Sequence, residues 1–410
     1  MNKVTKNTIA LICVMMAVII VAGVSSVITL SATRVNANAE IIFGGNKELE
    51  ERFSRLNEVY EILMSEYYIE PDSDKLIQGA IDGMLASLDD PYTFYYTPEE
   101  MSESTEQHEG VYHGIGVMVS SNKDGQLTVV RVFKNSPAQE AGLHPRDVIL
   151  AVDGTSVSAE NTEKMNTAVA LVKGIEGTSV NLTILRNGEE MNISVKRGSV
   201  SINRVEYYIL DGNVGYLVLY EFFGDAVSGV KEALREFEKA NVEGIIFDVR
   251  SNTGGELNTC LGITDLFVPE GLIMYTQDRY GNKQSYHSNE YTYGKPLVVL
   301  IDGMTASASE VFSAAVQDYG TGTIIGTNSF GKGIVQAVIP FTADGAGMQL
   351  TTDQYFTPNG RYIHGIGVQP DIVVELQEDY DPTIYTPDMD NDNQLKAAYD
   401  EILRMIGEAR

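Results

Sequence analysis

The chain has 410 residues, room for two to three domains of about 150 residues each, which excludes a single small module. Hydrophobic residues make up 43% and charged residues 21%, a globular composition, while 57 acidic against 29 basic residues leave a net charge of −28. That balance argues against a nucleic-acid partner and against electrostatic attachment to anionic lipid, and two cysteines, Cys13 and Cys260, provide neither a disulfide framework nor a cysteine zinc site.

From Ile9 to Leu30 the chain is uncharged and apolar over about the 20 residues that a membrane-crossing helix needs, with Lys3 and Lys6 before it. The basic flank predicts a cytoplasmic N-terminus and an exported body, a single-pass cell-membrane protein with its remaining domains extracytoplasmic. Ala37-Asn38-Ala39 is a small-residue pattern like a signal-peptidase site, and cleavage after Ala39 would make the product secreted. The length of the apolar run favours a retained signal anchor (1–30), followed by a polar linker (31–47).

Residues 48–105 read as a helical region: Phe53, Leu56, Val59, Tyr60, Leu63 and Met64 recur at three-and-four spacing, and a second amphipathic stretch runs from Lys75 to Leu88 before Asp90-Pro91 breaks it. Residues 106–198 are glycine-punctuated short strands with one helical stretch, Ala159 to Lys173. Beyond Ser199 apolar strands (Val214 to Val218, Gly244 to Val249, Pro296 to Ile301) alternate with an amphipathic helix, Asp225 to Ala240. This pattern predicts an α/β core (199–376) with a buried, at least partly parallel sheet. An acidic tail (377–410) ends in a helical pattern from Asn393 to Ile406.

The β-rich segment opens with Gly114-Ile115-Gly116-Val117. Two glycines before a strand make a tight turn, and they also let backbone N–H groups form a nest for an anion such as a chain-terminal carboxylate. The continuation, Val130-Arg131-Val132-Phe133 through Ser136-Pro137-Ala138 to Gly142-Leu143 and then Asp147 to Gly154, resembles a PDZ domain. The resemblance implies a peptide added as a strand beside Ile115 to Val119, its carboxylate in the glycine loop and its last side chain against the helix from Ala159 to Lys173. His113 reads as a turn histidine, within reach of such a peptide.

Three stretches of the core carry candidate chemistry. Asp248-Val249-Arg250-Ser251-Asn252-Thr253-Gly254-Gly255 is a strand entering a paired-glycine turn, where bare backbone N–H groups can approach a bound oxyanion. Ser307-Ala308-Ser309-Glu310 fits a helix capping box, yet a serine there also sits beside unpaired N–H groups and the positive end of the helix dipole. Phe330-Gly331-Lys332-Gly333 sets a lysine among apolar and glycine residues; if buried there rather than exposed, it loses hydration and becomes a base. Gln336, four positions on, falls on the same face of a strand as Lys332.

Together these stretches resemble the carboxyl-terminal processing peptidases, or tail-specific proteases, from about Leu49 to Val374. The resemblance implies an α+β multidomain fold: a membrane helix, a helical region and a PDZ domain inserted before a crotonase- or Clp-protease-like serine peptidase core. It implies Ser307 as nucleophile, Lys332 as general base, Gln336 orienting Lys332, and the N–H groups of Gly255 and Ala308 as the oxyanion hole. It also implies peptide substrates recognised by their C-terminal tails, no metal or cofactor, and a homodimer. Ser309, one alternate position away, remains a competing nucleophile. Among the histidines only His364 is placed to serve a Ser–His mechanism, and no His-x-x-x-His pair offers a metal site. A PDZ scaffold without catalysis and an acyl-CoA enzyme with a related oxyanion loop are the rival readings. A domain inserted before a protease core can also occlude or expose it as peptide binds.

Overall fold

A computed structural model of the chain describes residues 47–109, 111–122, 124–289, 293–342, 344–377 and 387–409. The apolar segment 9–30, the linker and Ala37-Asn38-Ala39 lie outside these residues. Among the described residues no helix is long and apolar enough to cross a membrane. The chain forms two compact units, one of Glu103–Ile334 with Gln354–Arg410, the other of 47–102 with Val335–Asp353.

The described chain begins with two helices, α1 (Lys47–Glu66) and α2 (Ser73–Ala86), the second capped by the Asp72 carboxylate, which accepts from the amides of Asp74 and Lys75. A strand not anticipated from sequence, β1 (Phe94–Tyr96), and the helix α3 (Pro98–Glu109) follow.

The β-rich segment contains β2 (Val111–Gly114), β3 (Val117–Ser121), β4 (Leu127–Val132), the short helix α4 (Pro137–Glu140), β5 (Val148–Val152), β6 (Thr155–Ser156), α5 (Thr162–Val172), β7 (Ser179–Arg186), β8 (Glu189–Lys196) and β9 (Gly198–Ser201). Its main sheet runs β3-β4-β5-β7-β8, so β3 is an edge strand. Along β7 Val180, Leu182 and Ile184 are buried while their neighbours are more exposed, the period-two pattern of a sheet with one covered face. They pack with Leu127, Val129, Ile149 and, from α5, Ala168 and Val172.

In the α/β core the strands are β10 (Val205–Leu210), β11 (Val214–Leu219), β12 (Gly244–Asp248), the hairpin strands β13 (Gly271–Asp278) and β14 (Lys283–Ser288), β15 (Leu297–Ile301) and β16 (Thr323–Gly326). The helices are α6 (Ala226–Lys239), α7 (Leu257–Thr264) and α8 (Ala308–Tyr319). The chain continues through β17 (Ile334–Pro340), β18 (Gly347–Phe356), β19 (Ile372–Val373) and α9 (Asn393–Ala409). One six-stranded sheet runs β10-β11-β12-β15-β16-β19, antiparallel only at β10–β11. Every residue of β11, β12 and β15 is buried, as expected for parallel strands covered on both faces. One face meets α9 through Leu395, Ala398, Ile402 and Ile406, and on the other Phe247, Phe267 and Phe312 meet ring to ring. Gly215 and Gly244 leave room for this packing: a Cβ at Gly215 would lie 2.7 Å from the Phe237 ring, and one at Gly244 2.8 Å from Ile402.

The second unit closes far along the chain. Phe94, Tyr95 and Tyr96 pair antiparallel with Gln349, Met348 and Gly347 of β18. The Gln349 amide donates to the Tyr92 carbonyl at 3.0 Å, and the Thr351 amide to Thr93 Oγ1 at 3.0 Å.

Candidate active site

Three loops leave the C-terminal ends of the neighbouring parallel strands β12, β15 and β16, the edge of an open α/β sheet where ligand crevices form. They are 249–256, 302–307 and 327–333, and they hold the three stretches singled out from the sequence.

The first two loops are stitched together by polar contacts. Asp302 Oδ1 accepts from the amides of Ser251 and Thr305, both at 2.9 Å, and Thr305 Oγ1 donates to the Val249 carbonyl at 2.9 Å. The Asn252 carbonyl accepts from the Ala306 amide at 3.0 Å and from Ser309 Oγ at 2.9 Å. Ser309, the alternative nucleophile, is therefore fully buried with its hydroxyl engaged in bracing the glycine loop. Phe222 braces that loop from its other side, its amide donating to the Gly254 carbonyl at 2.8 Å and its carbonyl accepting from Glu256 at 2.7 Å. The fit requires both glycines: Gly254 and Gly255 have φ of 107° and 148°, and a Cβ would lie 2.9 Å from the Ala308 nitrogen at Gly254 and 2.4 Å from the Phe222 carbonyl oxygen at Gly255.

Ser307 is the N-cap residue of α8, with φ 55° and ψ −117°. A non-glycine residue held there stores strain of order 1–3 kcal/mol and persists only where its surroundings over-determine it. The surroundings do so. Its amide donates to Glu310 Oε2 at 2.9 Å, its carbonyl accepts from the Tyr355 hydroxyl at 3.2 Å, and the Glu310 amide donates to that same carbonyl at 2.8 Å. The capping expectation thus holds for the Glu310 carboxylate.

Lys332 is 2% exposed, so the burial alternative, not the surface one, describes it. Its amide donates to Glu310 Oε2 at 2.8 Å, the same oxygen that holds the Ser307 amide. Tyr355 and Thr305 make two more ties between the segments: the Tyr355 amide donates to the Gly333 carbonyl at 3.0 Å, and the Phe330 amide to the Thr305 carbonyl at 2.9 Å. The glycines flanking Lys332 admit the turn 363–367, since a Cβ at Gly331 would lie 3.0 Å from the Gly367 amide nitrogen and one at Gly333 2.6 Å from that of His364. His364 is exposed, and its Nδ1 accepts from the Gly333 amide at 3.3 Å. Gln336 lies on β17 in the other unit, 1% exposed, its amide donating to Thr351 Oγ1 at 3.3 Å.

Burial sets the electrostatics of this site. It pushes the Glu310 carboxyl up from its ordinary 4.5, against four donors that pull it down. It pushes the Cys260 thiol up to about 12, and the protonated Sγ donates to the Ala308 carbonyl at 3.2 Å. It pushes the Tyr355 phenol far up, so that residue stays a hydroxyl donor to Ser307. Among the described residues no cluster of His, Cys, Asp and Glu could hold a metal ion.

Sequence reasoning missed the work of Glu310, Tyr355 and Arg250. Arg250 is 1% exposed and donates to Asp248 and to Asp392 at the start of α9, while the Tyr216 hydroxyl donates to Asp248 at 2.7 Å. A glutamate three residues after a helix-start serine was the one available sign of Glu310, and it pointed only to a cap.

In the β-rich domain, Gly116 has φ 85° and packs so closely that a Cβ would lie 2.3 Å from Ser136 Cβ. Its carbonyl accepts from the Phe133 amide at 3.0 Å and from Ser136 Oγ at 3.2 Å, and the Ile115 carbonyl accepts from Ala138 at 2.7 Å. These bonds fix the loop from Gly114 to Val117 at the start of edge strand β3. The domain meets the core through Arg131, whose guanidinium lies 3.2 Å from the centre of the Tyr220 ring, two residues before Phe222.

Ser307, buried at a helix start, and Lys332, buried in a loop with its amide on the same Glu310 oxygen as that of Ser307, lie beside a glycine turn on a chain that also carries a small β domain, a set compatible with a serine-type peptidase. The comparisons agree: residues 213–374 match Peptidase family S41, 113–196 a PDZ domain and 20–100 the activating protease CtpB N-terminal domain. The carboxy-terminal processing protease CtpA of Bacillus subtilis (strain 168) is 36% identical over 367 residues, 88% of this chain and 77% of that one. The carboxy-terminal-processing protease of Bartonella bacilliformis is 35% identical over 362 residues, 86% and 82% of the two chains. Of solved structures, the photosystem II D1 C-terminal processing protease aligns with a TM-score of 0.52 at 27% identity, over 84% of this chain and 91% of that one. A putative S41 protease from Bacteroides fragilis shares the fold, with a TM-score of 0.57 over 86% and 97% of the chains at 18% identity. The chain belongs to the carboxy-terminal processing peptidases of family S41.

Proposed function

We propose that the protein is an endopeptidase that binds C-terminal tails of exported proteins in its PDZ domain and cleaves by a Ser307–Lys332 dyad. Loss of hydration disfavours the ammonium form of a buried lysine, and the neutral amine of Lys332 takes the Ser307 proton as Oγ attacks a peptide carbonyl. The N–H groups of Gly255 and Ala308 receive the oxyanion. As the tetrahedral intermediate collapses, the C–N bond breaks and Lys332 returns the proton to the leaving amine. Water, giving a proton to Lys332, then hydrolyses the acyl-enzyme, and the proton goes back to Ser307. Gln336 orients the amine, and the tail carboxylate sits on the loop Gly114, Ile115, Gly116 and Val117. The segment 9–30 anchors the enzyme in the cell membrane with its body outside the cytoplasm, and the subunits pair as a homodimer.

The observation that supports the dyad most directly is the single carboxylate oxygen of Glu310, which accepts from the amides of both residues and so keeps them side by side. The test is incubation of the full chain, and of its Ser307→Ala and Lys332→Ala variants, with an unstructured protein ending in an apolar residue. Cleavage by the wild type and by neither variant is expected. Undiminished cleavage by either variant overturns the dyad, and tail binding without any cleavage by the wild type favours the scaffold reading.

A further inference from the structure

The geometry points to Glu310 as a positioning residue that holds nucleophile and base in register, a role resting on the Ser307–Lys332 reading above. Its side chain is fully buried, and both oxygens are occupied twice. Oε2 accepts from the amides of Ser307 at 2.9 Å and Lys332 at 2.8 Å. Oε1 accepts from the Gly331 amide at 2.7 Å and from the Ser329 hydroxyl, which in turn accepts from the Val368 amide at 2.6 Å. A carboxylate is the one side chain that can accept four such bonds without offering a proton of its own. The α8 start and the lysine loop, about twenty residues apart in sequence, therefore share one acceptor.

A capping box does not require this. Of the N3 side chain it needs only one bond, accepted from the N-cap amide, and glutamine serves there as well as glutamate. Here three of the four donors come from the loop that carries Lys332. Burying a carboxylate is costly, and removal of hydration already pushes this one toward its neutral form. The four donors offset that cost only while both segments stay in place, so the charge and the spacing of Ser307 and Lys332 support each other.

Glutamine separates the two roles. With its NH2 at the Oε2 position it faces the N–H groups of Ser307 and Lys332; with NH2 at Oε1 it faces that of Gly331. Neither rotamer satisfies all three amides, although one still caps Ser307. Displacement of a reacting group by about 1 Å can cost on the order of 10²-fold. In the full chain, Glu310→Gln is therefore expected to lower kcat on a peptide substrate by about 10²-fold with KM within about twofold, and with a cooperative melt well above assay temperature. Glu310→Asp, which keeps the charge but is one methylene shorter, is expected to fall with it. A folded Glu310→Gln enzyme with kcat within about threefold of wild type leaves only the cap and overturns the assignment. Should Glu310→Gln fail to fold, Ser329→Ala removes a single donor from Oε1: a drop in kcat of about tenfold supports the role, and an unchanged kcat overturns it. Ser307→Ala measured alongside separates the two ideas. If it cleaves like wild type, the dyad itself is wrong; if it is dead while Glu310→Gln is fully active, only the positioning role is.

Discussion

Arg250 and Asp392, 142 residues apart in the chain, form a two-pronged ion pair in the interior: Nη1 donates to Oδ1 at 3.0 Å and Nη2 to Oδ2 at 2.7 Å. The pair joins the strand end that enters the glycine loop to the first turn of α9. Asp392 also accepts from the Leu395 amide at 2.9 Å and so caps the helix. Asp248 keeps Arg250 ion-paired when Asp392 is lost, so what is given up is the second pair of guanidinium hydrogen bonds and the cap of α9, at about 1–3 kcal/mol. Asp392→Ala should lower the free energy of unfolding by that amount, read as the shift in denaturant midpoint multiplied by m, and truncation of the chain before Asp392 should abolish folding of the core. A variant within about 1 kcal/mol of wild type would show that the pair contributes only orientation.

The glycine turn leaves no room for a methyl group. A Cβ at Gly255 would meet the Phe222 carbonyl carbon and oxygen, which are backbone and cannot swing aside. Gly255→Ala should therefore displace the N–H proposed for the oxyanion, with a loss of about 10²–10³ in kcat. Peptide-hydrolysis kinetics, with tail binding as the control for folding, check it.

At the loop proposed to hold the tail carboxylate the corresponding change is Gly116→Ala, whose Cβ would overlap Ser136. The loop must shift away from a bound carboxylate, and a loss of about 1.4 kcal/mol or more appears as a tenfold or greater rise in Kd. Fluorescence anisotropy with a labelled tail peptide, compared with its C-terminally amidated form, measures the effect; equal affinity for the two forms would remove the carboxylate from the recognition.

Alkaline pH should unfold the core steeply. Burial pushes the Tyr216 and Tyr355 phenols well above 10.0 and the Cys260 thiol from 9.0 to about 12, so the unfolded chain releases these protons at a pH where the folded chain keeps them. Their contribution is complete below about pH 9 and is lost as pH rises, by about 1.4 kcal/mol per pH unit for each group once its unfolded form has titrated. Denaturant titrations between about pH 8 and pH 11 should show this slope, and Cys260→Ala should flatten its first part.

The parallel strands β11, β12 and β15 were legible because each is a short apolar run bounded by turn residues, and α6 and α9 because their apolar residues recur on one face; the short strands β16 and β19 were not. The hairpin β13–β14 was not: Lys283–Ser288 is polar and largely exposed, so it carries no hydrophobic alternation. The strands β1 and β18 were missed for a related reason, since their pairing is set by partners about 250 residues apart. At the site, residue types and spacing singled out Ser307, Lys332 and the glycine turn, but they could not decide between Ser307 and Ser309. The Ser309 hydroxyl lands on the Asn252 carbonyl, a contact that no spacing rule reveals. Nor could sequence show that Glu310 holds two loops, because three of its four donors come from a segment folded back upon it.

The zipper between Phe94–Tyr96 and Gly347–Gln349 also sets a schedule for biosynthesis. At roughly 5–20 residues per second, the ribosome delivers the partner of β1 on the order of ten seconds to a minute after β1 itself. During that interval the newborn polypeptide carries an unclaimed aromatic strand, a sticky edge that invites chaperones or neighbours. It also lacks Lys332 until shortly before the zipper can close, so the proposed dyad is incomplete while most of the chain is still being made.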